Sequence, residues 1–114
     1  MALDIINEIK TAVSALEDKK GMNISVLDLR KVSDVTDCFI ICSGSNRSQI
    51  QALSDGVEES LGKKGLSPKG IEGYDSAGWV LLDYGDFVIH IFDKELRDLY
   101  DLERIWSDAD KVTL

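Results

Sequence analysis

The stretch Gly78-Trp79-Val80-Leu81-Leu82-Asp83-Tyr84-Gly85-Asp86-Phe87-Val88-Ile89-His90-Ile91-Phe92-Asp93 decides the fold. It reads as two apolar β-strands joined by a tight turn at Tyr84-Gly85, where glycine supplies the positive φ that hairpin turns favour. With those two residues as the loop, Asp83 pairs with Asp86, Leu81 with Val88 and Trp79 with His90. Side chains alternate across a strand, so Val80, Leu82, Phe87, Ile89 and Ile91 share one wholly apolar face that belongs in a core. The opposite face carries Trp79, Leu81, Asp83, Asp86, Val88, His90 and Phe92: an aromatic–aliphatic patch, two carboxylates at its rim, and the only histidine of the chain. Two readings of that face stand open. It docks onto another macromolecule, preferably a basic one, or a helix covers it and His90 serves a backbone group.

Working outward, Cys38-Phe39-Ile40-Ile41-Cys42 is apolar on both faces, as a central strand covered on both sides requires. It ends at Ser43-Gly44-Ser45, where a second helix starts. Asn46 with Gln49 resembles a capping box, with Ser45 the competing cap. Ile50, Leu53, Val57 and Leu61 give that helix one buried stripe, and Lys63-Lys64 before Gly65 ends it. The first helix, Leu3 to Lys20, shows the same pattern. Ile5, Ile9, Ala12, Val13 and Leu16 fall at helical spacing, and Gly21 is expected as its left-handed stop. Asn23 to Arg30 reads as a strand, Val32 to Asp37 as a polar connection, and Pro68 to Tyr74 as a short strand. Lys94 to Tyr100 and Leu102 to Ala109 suggest one or two short terminal helices. The order is helix, strand, strand, helix, three strands, helix. That predicts a single α/β (α+β) domain over 1–114 with a mixed sheet of about five strands and flanking helices.

Composition restricts what such a domain does. The chain of 114 residues, 44% hydrophobic and 30% charged, suits one ordinary globular domain with a real core. No apolar run approaches the roughly 20 residues needed to span a bilayer, and Met1-Ala2-Leu3-Asp4 lacks the basic start of a secretory signal; a cytoplasmic location is expected. Thirteen Lys and Arg against 21 Asp and Glu give a net charge of −8. Lys19-Lys20, Arg30-Lys31 and Lys63-Lys64 form no basic stripe, so little direct contact with nucleic acid is expected. A basic protein partner fits better, because opposite charge speeds encounter.

Chemistry finds little footing. Cys38 and Cys42 lie about 13 Å apart along one strand, too far for a disulfide, and with a single histidine they make no zinc set. Ser43-Gly44-Ser45-Asn46, between a strand and a helix, is placed to hold an anion, yet it has one glycine and no phosphate-binding lysine. Nucleotidyltransferases put a Gly-Ser at such a junction and follow it with an Asp-x-Asp metal pair, which is missing here. No serine or cysteine is set beside His90 as a nucleophile. The expectation is a protein that is not an enzyme and uses no cofactor or metal.

Three blocks in order resemble the ribosomal silencing factor family, also called Iojap. They are Thr36-Asp37-Cys38-Phe39-Ile40-Ile41-Cys42-Ser43-Gly44-Ser45 with Gln49; Glu72-Gly73, Trp79 to Asp86 and His90-Ile91-Phe92; and Arg97-Asp98-Leu99-Tyr100-Asp101-Leu102-Glu103-Arg104-Ile105-Trp106. The likeness runs from Leu3 to about Asp108; the cysteines at 38 and 42 are its small departures. It implies a nucleotidyltransferase-like fold without the catalytic carboxylates. It further implies binding to large-subunit ribosomal protein fourteen, a basic protein at the subunit interface. That binding would block an intersubunit bridge and the joining of small and large subunits, repressing translation when nutrients are scarce. The residues expected to meet the partner are Trp79, Leu81, Asp83, Asp86, His90 and Phe92, with Arg97 and Tyr100 on the terminal segment. Two rivals remain: a metal-dependent nucleotidyl-transfer enzyme, and a domain that self-associates into a homodimer through the same sheet face.

Overall fold

Two helices lean on one side of a sheet, and two short ones lie across part of the other. The computed structural model describes residues 2–114; Met1 of the expected domain lies outside them. The elements are α1 (Leu3–Asp18), β1 (Met22–Asp28), β2 (Cys38–Gly44), α2 (Arg47–Gly62), β3 (Gly70–Glu72), β4 (Trp79–Asp83), β5 (Phe87–Asp93), α3 (Lys94–Tyr100), α4 (Leu102–Ile105) and β6 (Asp110–Lys111). The sheet order is β3-β4-β5-β2-β1-β6, six strands where the sequence suggested about five. The extra one, β6, is a two-residue polar pairing on the edge of β1, too short to show any periodicity. β2 and β5 run parallel and every other pair antiparallel, so the sheet is mixed as expected.

The first core layer follows from the period-two pattern. Val80, Leu82, Phe87, Ile89, Ile91, Ile40, Val26, Cys38 and Cys42 meet Ile9, Ala12, Ala15 and Leu16 of α1 and Ile50, Leu53, Val57 and Leu61 of α2. Both cysteines are free and buried, and burial pushes their thiols up, Cys38 to about 12 and Cys42 to about 11. They act as small hydrophobes.

Helix ends explain how the two long helices are set. α1 does not stop on a left-handed Gly21; Lys20 takes that conformation, with φ 62°. The Lys20 N–H donates to Glu17 O at 2.9 Å and the Gly21 N–H to Leu16 O at 2.8 Å, a Schellman closure. Gly21 is needed for another reason, since a Cβ there would stand 2.5 Å from Cys42 Sγ. α2 starts as its sequence suggests: Asn46 Oδ1 accepts from the Gln49 N–H at 2.9 Å. Gln49 Oε1 accepts from the Ser45 N–H, while its Nε2 donates to the carbonyls of Lys19 and Lys20, fastening the start of α2 to the end of α1.

The hairpin corrects one expectation. Trp79 pairs with Phe92, Leu81 with His90 and Asp83 with Val88, so the loop is Gly85-Asp86 rather than Tyr84-Gly85. Tyr84 stays in line with the strand and stacks on Phe87 at 5.1 Å, which gains more burial than a loop position offers. Gly85, at φ +84°, donates its N–H to Asp83 Oδ1 at 2.8 Å. Sliding the loop by one residue moves every cross-strand partner by two. Side chains therefore keep their faces.

Candidate functional site

The second face of the sheet is where core and surface meet. Paired residues share a face, so rows run Trp79–Phe92–Ser43, Glu72–Leu81–His90–Ile41–Ser25 and Asp83–Val88–Phe39–Leu27. Leu27, Leu29, Ile41 and Phe92 form a second buried cluster, closed by Leu96 of α3, Leu102 of α4, Trp106 and Ala109. Terminal helices thus cover one part of this face and leave another uncovered, and His90 meets the Trp79 indole rather than a backbone group. α3, α4 and Trp106 cover Leu27, Ile41 and Phe92, while Trp79, Leu81 and Val88 of β4–β5 and Phe39 of β2 remain half-exposed.

The expected contact residues divide accordingly. Phe92 is 0% exposed and His90 3%, so they support the face from beneath instead of meeting a partner. Trp79 stacks on Phe92 at 4.9 Å and meets Tyr100 in a tilted contact at 4.8 Å. Its Nε1–H donates to His90 Nδ1 at 3.1 Å, which assigns the imidazole proton to Nε2. That Nε2 has no hydrogen-bond partner among the described residues. Phe39 instead stands edge-to-face against the ring at 4.4 Å. Burial alone drives the His90 pKa down to about 4.

The rim is acidic. Glu72 and Asp86 are exposed and Asp83 half-buried. Lys69 lies over the turn at Gly85 and tempers the charge at that corner. At the other border, α3 and α4 meet at Asp101, a left-handed residue with φ 45°. This corner presents Leu99 at 73% and Ile105 at 66% exposure, with Tyr100 half out of water beside Trp79. A run of apolar side chains this exposed, next to a half-buried tryptophan, has the composition of a docking patch.

Arg97 is placed differently from the expectation of a contact residue. Its side chain is only 11% exposed and pairs through Nε with Glu103 Oε1 at 3.0 Å. It also donates to Ser43 Oγ at 2.9 Å and Ser25 Oγ at 3.3 Å. Ser25 Oγ donates to Glu103 Oε2 at 3.2 Å. Burial pushes the Glu103 carboxyl up, and its bonds to Arg97 and Ser25 more than offset this, leaving it below its ordinary value. No spacing rule announces a pairing between Arg97 and residues more than fifty positions away; Leu99 and Ile105, which read as apolar positions of the terminal helices, lie exposed instead of packed.

The Gly-Ser junction is filled by the protein itself. Ser43 is buried against Arg97, and a Cβ on Gly44 would press Ile50 at 2.6 Å. Gly44 pairs with Asp93, at the end of β5 opposite to Phe87 and the Asp83/Asp86 turn. Six strand steps, about 20 Å, separate the two ends. Among the described residues no three His, Cys, Asp or Glu side chains converge as a metal set. No helix among the described residues is long and apolar enough to cross a membrane.

Fold and site together define a mixed α/β domain: a sheet face half closed by its own terminal helices, with an apolar patch and acidic rim left open. The chain belongs to the ribosomal silencing factor family, whose pattern, described as "Ribosomal silencing factor during starvation", matches residues 2–114. It is 41% identical over 101 residues to ribosomal silencing factor RsfS of Bacillus subtilis, covering 89% of this chain and 86% of that one. To RsfS of Halalkalibacterium halodurans it is 39% identical over 106 residues, 93% of this chain and 91% of the relative. A crystal structure of a Chromobacterium violaceum protein superposes with TM-score 0.88 at 36% identity, covering 94% of this chain and 88% of that one.

Proposed function

We propose that this protein silences ribosomes in the cytoplasm by docking, without chemistry, on large-subunit ribosomal protein fourteen, and so keeps the small subunit from joining. The observation that carries the reading is the open half of the second face. Trp79, Leu81, Tyr100, Leu99 and Ile105 supply the apolar contact, and Glu72, Asp83 and Asp86 supply a charge opposite to that of a basic partner. His90 and Phe92 hold Trp79 in place from below. A half-buried tryptophan backed by a rigid aromatic layer is the kind of anchor on which binding energy concentrates.

The test adds the protein to dissociated subunits and follows joined ribosomes by sedimentation. The expected result is a dose-dependent loss of joined ribosomes, with the protein migrating with large and not small subunits, and with no requirement for nucleotide or divalent-metal turnover. Unchanged joining at saturating protein overturns the proposal.

A further inference from the structure

We infer that Arg97 is a positioning residue: a buried clamp that fixes the α3–α4 corner on the sheet and thereby shapes the docking patch. The inference rests on the docking reading for its functional half only. α3 and α4 have seven and four residues, and no residue of either is fully buried. Helices this short do not persist alone, so something outside them must set their geometry. Leu96, Leu102 and Trp106 supply apolar contact, but apolar contact is non-directional and tolerates sliding. The guanidinium is directional. Its fork reaches α4 through Glu103, β2 through Ser43 and β1 through Ser25, so one side chain ties the corner to two strands.

The consequence for the patch is geometric. Tyr100 sits three residues beyond Arg97, and Asp101 turns the chain with its N–H donating to Arg97 O at 2.9 Å. Holding Arg97 therefore holds Tyr100 against Trp79 and turns Leu99 and Ile105 outward. The charge consequence follows as well. With Glu103 as its partner, the Arg97 cation is neutralised internally and does not offset the rim acids.

The test compares the full-length protein with Arg97→Met, Glu103→Gln and the double variant, by amide hydrogen exchange and by affinity for purified large subunits. A clamp predicts amides of 94–106 exchanging about tenfold faster in Arg97→Met while those of β2 and β5 keep their rates. It predicts an affinity loss of about tenfold, with Glu103→Gln adding little in the Arg97→Met background, because both act through one network. Ser43→Ala, which removes one acceptor and no charge, should give the same local pattern in smaller size and stands in should Arg97→Met fail to fold. Exchange rising equally through β2 and β5 would make Arg97 a general stability residue and overturn the inference. Lost affinity with unchanged exchange over 94–106 would make it a direct contact and overturn it too. If the unaltered protein fails to bind large subunits, the docking reading falls, and the exchange pattern alone still decides whether Arg97 is a clamp.

Discussion

Lowering the pH should loosen this domain through His90. The neutral imidazole accepts at Nδ1 from the Trp79 indole. Protonation turns that acceptor into a donor, sets two N–H groups against each other, and leaves a cation among Phe39, Phe92 and Trp79 with no carboxylate beside it. The folded pKa is about 4 against an ordinary 6.5. Because the folded value is the lower one, the contribution is complete above pH 6.5 and falls as the pH drops toward 4. It is constant below that, where both states are protonated. Each unit is worth about 1.4 kcal/mol, so the full difference is about 3 kcal/mol, of which about 2.5 kcal/mol is gone by pH 4.5. Urea unfolding at pH 7.5, 6.5, 5.5 and 4.5 measures it, with His90→Phe as the non-titrating control. The variant leaves the Trp79 N–H without its acceptor, a cost that does not change with pH. Equal pH slopes in the two proteins between 6.5 and 4.5 would refute the reasoning.

Other perturbations separate docking from folding. Trp79→Ala should weaken large-subunit binding by about 2 kcal/mol or more and, since the ring also stacks on Phe92, lower the melting temperature as well; binding at full strength would remove the face from the mechanism. Asp86→Lys should slow association with large subunits more than Asp4→Lys in α1, and the gap should shrink as salt rises; equal effects in stopped-flow measurements would leave only bulk charge. Gly21→Ala, which pushes a methyl into Cys42 Sγ, should cost about 1–3 kcal/mol in urea unfolding while leaving subunit binding per folded molecule unchanged.

What could be read in advance was whatever local chemistry determines. The strand over Cys38 to Cys42, the Asn46 cap and the alternating faces of Trp79 to Phe92 all depend on neighbours within a few residues. The hairpin loop was misplaced by one residue because the choice between Tyr84 in the loop and Tyr84 on Phe87 depends on the core it packs into. Nothing in the strand of His90 and Phe92 shows that Leu96, Leu102 and Trp106 return to cover Phe92, or that Phe39 and Trp79 close over His90. Arg97 was expected to face outward for a similar reason: its partners Ser25 and Ser43 lie on strands made long before it. β6 exists only as an edge of β1 and has no signal of its own.

A sheet that offers a sticky face runs a second risk, that of growing sideways. Here the outermost strands are three and two residues long, β3 ending in Glu72 and β6 made of Asp110 and Lys111. So short and charged a margin offers an incoming chain few backbone groups to pair with, and extended ladders of molecules gain no foothold. On the proposed docking reading, association falls to the apolar patch. A patch is filled by a single partner and is then used up, so this architecture favours a complex of fixed stoichiometry over an open-ended assembly.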